Sequence, residues 1–126
     1  MNILLVDDEE KFISRLAERL ILRGVAAEWV TSGQAALHKA SAKKYDVAVL
    51  DVKMPLMGGL ELKKRLEAIQ PQLKFILVTG HGSGEDYEIG CREAFCYIIK
   101  PFNIDFLMEK IQEVSKVKKT NQPAQS

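Results

Sequence analysis

A chain of 126 residues can hold one domain with a proper core and is too short for two ordinary ones. Hydrophobic residues make up 47% and charged residues 28%, a globular composition; 18 basic against 17 acidic side chains leave a formal charge of +1, which excludes a global field attracting nucleic acid or membrane. Strong charge chemistry therefore has to be local. No apolar run approaches the ~20 residues of a membrane span, and the sequence opens on a strand-like run without a signal-peptide layout, so a cytoplasmic location is expected. Cys91 and Cys96 lack the spacing of a zinc or redox motif and are expected as buried reduced thiols, one in a helix and one in a strand.

The first strand-like run, residues 3–6, leads into four consecutive acids, Asp7, Asp8, Glu9 and Glu10. Neighbouring carboxylates repel and are costly to desolvate, although negative charge suits the first turn of a helix. That helix is expected over residues 9–23, with Phe12, Leu16 and Leu20 at helical spacing and Gly24 stopping it. A weaker strand around Glu28, Trp29 and Val30 precedes a short Ala-rich helix for which Ser32 is the natural N-cap. The apolar run at 46–50 reads as a central strand. Pro55, Gly58 and Gly59 then mark a loop, and the helix after it places Leu60, Leu66 and Ile69 on one side before Pro71. Residues 74–79 form the fourth strand, followed by a glycine-dense loop and a poor helix around residues 85–93 with Gly90 inside it. The fifth strand, residues 96–100, meets Pro101, and Asn103 caps a final helix carrying Phe106, Leu107, Ile111 and Val114. Residues 120–126 are polar and read as a disordered tail or a linker stub after a domain spanning 1–119.

Five strand-then-helix units, with strands too apolar to face water, imply a doubly wound parallel α/β sheet covered by helices on both faces. In such sheets the chemistry lies beyond the carboxyl ends of the strands. Those ends carry Asp7 and Asp8, Asp51, Thr79 and Lys100. Each alone is an ordinary turn or edge residue; together they place three carboxylates, a hydroxyl and an ammonium on one rim. Carboxylates so gathered need protons or a cation to offset their repulsion, and Mg²⁺, held by one or two carboxylates plus a phosphate, is the fitting ion.

The segments "ILLVDDEE", "VAVLDVKMPLMGGLEL", "FILVTGHG" and "YIIKPF" resemble, in order and over nearly the whole chain, the signatures of the response regulator receiver domain of two-component signalling. The resemblance implies a flavodoxin-like (βα)5 fold with strand order 2-1-3-4-5. It implies that Asp51 accepts a phosphoryl group from the phosphohistidine of a histidine kinase or phosphotransfer protein. Asp8 and Asp51 would ligate Mg²⁺ (or Mn²⁺) directly, Asp7 mainly through water, and Lys53 through its backbone carbonyl. Thr79 and Lys100 would bind phosphoryl oxygens, and Pro101 would follow a cis peptide bond. Tyr97 matches the switch aromatic that acts with Thr79 on the face of the fourth helix, fifth strand and fifth helix, where an output domain, a downstream protein or a second copy would dock. Gly80 keeps the pocket open, while Lys53 and His81 would tune phosphate loss. A chain of this kind is a switch rather than an enzyme, catalysing only its own phosphoryl uptake and slow dephosphorylation, with no direct contact to nucleic acid or membrane. Three other readings compete with it. A metal-dependent phosphatase with an Asp nucleophile usually needs a general acid two residues on, where Lys53 stands. A flavin carrier would want hydroxyls and N–H groups in the acidic first loop. A purely protein-binding receiver would not need all five pocket residues.

Overall fold

Five parallel strands are laid down by the apolar runs, and the computed structural model describes them within residues 1–80, 90–92 and 95–117. The elements in chain order are β1 (Asn2–Val6), α1 (Glu10–Leu22), β2 (Ala26–Val30), α2 (Gly33–Ala42), β3 (Val47–Asp51), α3 (Gly59–Ile69), β4 (Lys74–Thr79), β5 (Gly90–Arg92), β6 (Phe95–Ile99) and α4 (Ile104–Ser115). The sheet order is β2-β1-β3-β4-β6-β5. Its first five members are parallel and follow the expected 2-1-3-4-5 winding. The sixth is a correction. Residues 90–92, read from sequence as part of a helix, pair antiparallel with β6, because an open sheet edge offers them hydrogen bonds that a helix containing Gly90 offers poorly. The rest of that expected helix, and His81, lie outside the described residues. Cys96 is also a correction: it is disulfide-bonded rather than a reduced thiol, and the strand register sets Cys91 directly opposite it.

Alternation along the strands builds two cores, because successive side chains point to opposite faces. Ile3, Leu5, Val47, Val49, Ile76, Val78 and Ile98 point toward α1 and α4, where Ile13, Leu16, Leu20, Leu107, Ile111 and Val114 meet them. Leu4, Val6, Ala48, Leu50, Phe75 and Leu77 face α2 and α3, against Ala36, Ala40, Leu62 and Leu66. Burial on both faces explains why these strands lack polar alternation.

Local chemistry sets the helix ends. Ser32 Oγ accepts from the Ala35 N–H at 3.1 Å, Asn103 Oδ1 accepts from the Phe106 N–H at 2.8 Å, and Gly24 takes the positive φ of 88° that ends α1. In α3 the expected face is rotated: Leu62 and Leu66 are buried, whereas Leu60 and Ile69 stay more than two-fifths exposed. Gly59 fixes that rotation. A Cβ there would lie 2.5 Å from the Asp51 carbonyl oxygen, so only glycine lets the first turn of α3 approach the end of β3 this closely. Its N–H donates to the Val52 oxygen at 2.9 Å, closing the loop behind Asp51.

Candidate functional site

The parallel register brings the carboxyl ends of β1, β3, β4 and β6 to one level. Val6 pairs with Leu50, Asp51 with Val78 and Thr79 with Ile99. The ladder runs one step further through Asp7 N–H to the Val30 oxygen (3.3 Å), Val52 N–H to the Val78 oxygen (2.8 Å) and Lys100 N–H to the Thr79 oxygen (2.9 Å). Asp7, Asp51, Thr79 and Lys100 are therefore held by backbone that the sheet itself makes rigid. Asp7, Asp51 and Thr79 are the polar residues buried among the described residues, and Asp8 beside them is exposed.

Carboxylate oxygens of Asp7, Asp8 and Asp51 all lie within 4.8 Å of one another. Lys100 is the cation that answers them. Its Nζ donates to Asp7 Oδ2 at 2.7 Å and to Glu9 Oε1 at 3.0 Å, and it stands 4.5 Å from the centre of the Phe12 ring. The other Asp7 oxygen, Oδ1, accepts the Glu9 N–H at 2.9 Å, which ties the acidic loop to the start of α1. The Thr79 hydroxyl donates to the Gly80 carbonyl at 3.1 Å.

Among the described residues, one ammonium is set against these acids. Burial and then the charge of Asp7 push the Asp51 carboxyl up to about 6 from 3.8; Lys100 and the Lys53 backbone N–H pull it down, and Asp8 pushes it up again. For Lys100, burial works against the charged form. The hydrogen bonds to Asp7 and Glu9, with the charges of Asp7 and Asp51, outweigh it and hold the ammonium above its ordinary value. Oxygen-only donors, short of positive charge and gathered at one point, suit a hard divalent cation of the magnesium type.

The remaining residues singled out in the sequence fall around this rim. Lys53 is exposed on the loop after Asp51, and Gly80 is half-buried with nothing within 4 Å of where a Cβ would stand. Tyr97 is half-buried in β6 and packs against the core facing α2 and α3. The Lys100–Pro101 peptide bond is cis. Sequence reasoning missed Glu9 and Phe12 as partners of Lys100. Glu9 reads as a first-turn residue that lies at most behind the direct metal ligands, and Phe12 as one more apolar residue of α1.

The sequence profile described as "Response regulator receiver domain" matches residues 3–112. The chain is 30% identical over 122 residues to the regulatory protein AtoC of Escherichia coli (strain K12), covering 94% of this chain and 26% of that protein. It is 32% identical over 117 residues to the transcriptional regulatory protein TcrA of Mycobacterium tuberculosis, covering 92% and 46%. The chain thus spans about a quarter to a half of the length of these relatives. A response regulator receiver domain protein (CheY-like) from Methanospirillum hungatei JF-1 superimposes with a TM-score of 0.78 at 29% identity, over 90% of this chain and 92% of that one. A response regulator protein from Burkholderia pseudomallei, solved with a phosphorylated aspartic acid, calcium ion and citrate, gives 0.75 at 28% identity, over 90% and 68%.

Proposed function

Because the chain belongs to the response regulator receiver domain family, and so serves as the receiver of a phosphorelay, we propose that Asp51 is its phosphoacceptor and that the rim around it performs the transfer. The observation that carries this reading is the convergence of Asp7, Asp8 and Asp51 within 4.8 Å, answered by Lys100. The donor is the phosphohistidine of a histidine kinase or phosphotransfer protein. An Asp51 carboxylate oxygen attacks phosphorus in line; the new O–P bond forms as the P–N bond breaks, and the imidazole leaves with the electron pair and takes up a proton. With its carboxyl at about 6, Asp51 is mostly ionised at neutral pH and needs no general base. Lys100 exchanges its bonds to Asp7 and Glu9 for a phosphoryl oxygen, while the Thr79 hydroxyl and the Lys53 N–H offer donors to the other oxygens.

Asp8 and Asp51 would hold Mg²⁺ directly, Asp7 through water, and the Lys53 carbonyl would complete the protein ligands; Mn²⁺ fits the same oxygen donors. When bound, the cation supplies positive charge beside the phosphoryl oxygens and the carboxylates that Lys100 leaves underneutralised. In the phosphorylated state, Thr79 turns its hydroxyl from the Gly80 carbonyl toward the new phosphate, and Tyr97 occupies the space released. The change is read on the face that includes β6 and α4, by an output domain, a downstream protein or a second copy of the chain. A difference of a few kcal/mol is enough to move such an equilibrium. Gly80 leaves the pocket mouth open, and Lys53 and His81 set the access of water and hence the lifetime of the signal. Residues 1–119 are the signalling unit, with 120–126 a tail or linker stub outside it, and the cytoplasm is its place of action. Among the described residues no helix is long and apolar enough to cross a membrane.

The test is intact-mass measurement after incubation with acetyl phosphate and Mg²⁺. The native chain gains one phosphate, and the Asp51→Asn variant gains none. A phosphate on the variant, or none on the native chain, overturns the assignment.

A further inference from the structure

The rim contains one contact that the transfer chemistry leaves unexplained: the ring of Phe12 against the Lys100 ammonium. We propose that Phe12 is a positioning residue for Lys100, its aromatic face holding the ammonium at the place from which it reaches the phosphoryl group. The inference rests on the phosphoacceptor reading above and adds to it a residue that acts on the transfer through Lys100.

Lys100 Nζ lies 4.5 Å from the Phe12 ring centre, inside the ~6 Å range of a cation–π interaction. Three other lysines of the described residues stand farther from rings, Lys43 at 5.5 Å from Tyr45, Lys63 at 5.3 Å from Phe75 and Lys110 at 5.3 Å from Phe106. The ring is itself fixed. Phe102, two residues beyond Lys100, meets it edge-on with centres 6.1 Å apart and planes at 79°. The loop after β6 thus grips Phe12 twice, once with the ammonium and once with an aromatic edge.

Glu9, the extended residue that precedes α1, and Phe12 in the first turn of that helix both meet the Lys100 ammonium. The flexible four-carbon stem of Lys100 is accordingly bounded by the carboxylates of Asp7 and Glu9 and by the face of Phe12. Phe12 packs against the margin of the core rather than within it. The buried stripe of α1 is Ile13, Leu16, Ala17 and Leu20, and Phe12 is only half-buried at its margin. It also borders an open groove of about 620 Å³ shared with Arg15, Phe102 and Ile104, so a larger aromatic can be accommodated. An ammonium that keeps its seat on the ring while it exchanges those carboxylate bonds needs less reorganisation to meet the phosphoryl oxygen than one released into solvent.

Two measurements test the proposal. The first is the maximal rate of phosphorylation by acetyl phosphate with Mg²⁺. Phe12→Leu, which keeps an apolar side chain and loses the π face, is expected to slow it about three- to tenfold. Phe12→Tyr and Phe12→Trp are expected to stay within about twofold of native, as a cation–π seat allows. The second is the chemical shift of the Lys100 ε-methylene protons, which the ring current moves upfield in the native chain and which returns to the ordinary lysine position in Phe12→Leu. A native rate in Phe12→Leu, no recovery in the Tyr and Trp variants, or an ordinary lysine shift in the native chain each overturns the role of Phe12. If the native chain takes no phosphate, the phosphoacceptor reading falls instead, and the lysine shift alone decides whether Phe12 seats the ammonium.

Discussion

Two clusters of charge flank this sheet, and they are built to opposite ends. At the β2 edge, Glu28 is surrounded by donors: Lys43, Lys39 at 3.2 Å and the Tyr45 hydroxyl at 2.8 Å. The Lys43 and Tyr45 hydrogen bonds dominate, and they hold the Glu28 carboxyl down at about 2 from 4.5. The Gln70 side chain locks the same corner, donating to the Ala40 and Lys43 carbonyls at 2.8 and 2.7 Å and accepting the Tyr45 N–H at 3.0 Å. At the carboxyl rim, by contrast, Asp51 is pushed up to about 6 by burial and by Asp7. The first cluster is complete without any ligand. The second is short of positive charge, and that deficit is what a cation and a phosphoryl group relieve. Charge that is satisfied internally supports the fold, whereas charge left unsatisfied in a rigid frame marks the place where something binds.

The contrast can be broken most severely at Gly59. A methyl there collides with the Asp51 carbonyl, a backbone atom that cannot swing aside, so Gly59→Ala is expected to lower stability by about 3 kcal/mol in urea unfolding. By lifting α3 from β3 it should also hydrate Asp51 and return its titration toward the ordinary aspartate range.

Next in size is removal of the acceptor's charge. Because the folded-state pKa of Asp51 is raised, its stability contribution is fully present below about pH 3.8 and is lost as the pH rises through about 6. Asp51→Asn is therefore expected to be more stable than native at pH 7 without divalent cation, by about 2 kcal/mol. Mg²⁺ should raise the melting temperature of the native chain more than that of Asp51→Asn.

The satisfied cluster answers with the opposite sign. The Glu28 pKa is depressed, so its stabilisation is present above about pH 4.5 and is lost as the pH falls toward about 2. Glu28→Gln is expected to cost about 1 kcal/mol at pH 7, a figure reduced for the partial exposure of the pair, and to flatten the acid limb of the unfolding curve. Smallest of all is the exposed pair of Arg23 and Asp105, which joins α1 to α4 at 2.6 Å. Asp105→Asn should shift stability by less than about 0.5 kcal/mol, and less still in high salt.

What the sequence reveals follows the range of the interactions concerned. Ser32 and Asn103 are legible as caps because a side-chain oxygen three residues before an N–H is a local matter. The rim itself is legible because parallel strands of similar length end at one level, which puts Asp7, Asp51, Thr79 and Lys100 together once the strands are recognised. In α3 the apolar residues at 60, 62, 66 and 69 permit more than one stripe, and the choice is made by the approach of Gly59 to β3. The pairing of residues 90–92 with β6 is likewise decided by the open sheet edge rather than by their own propensities. Glu9 meets Lys100 across 91 residues of chain, and no local pattern distinguishes it from its acidic neighbours.

Asp51 sits buried in a field short of positive charge. Following its side-chain carboxyl carbon by NMR through a pH titration, without and then with Mg²⁺, reads the combined effect of burial and that field. A midpoint near 6 without the ion, displaced well downward when Mg²⁺ is added, is the predicted result. A midpoint at the ordinary aspartate value, unmoved by Mg²⁺, would contradict the account.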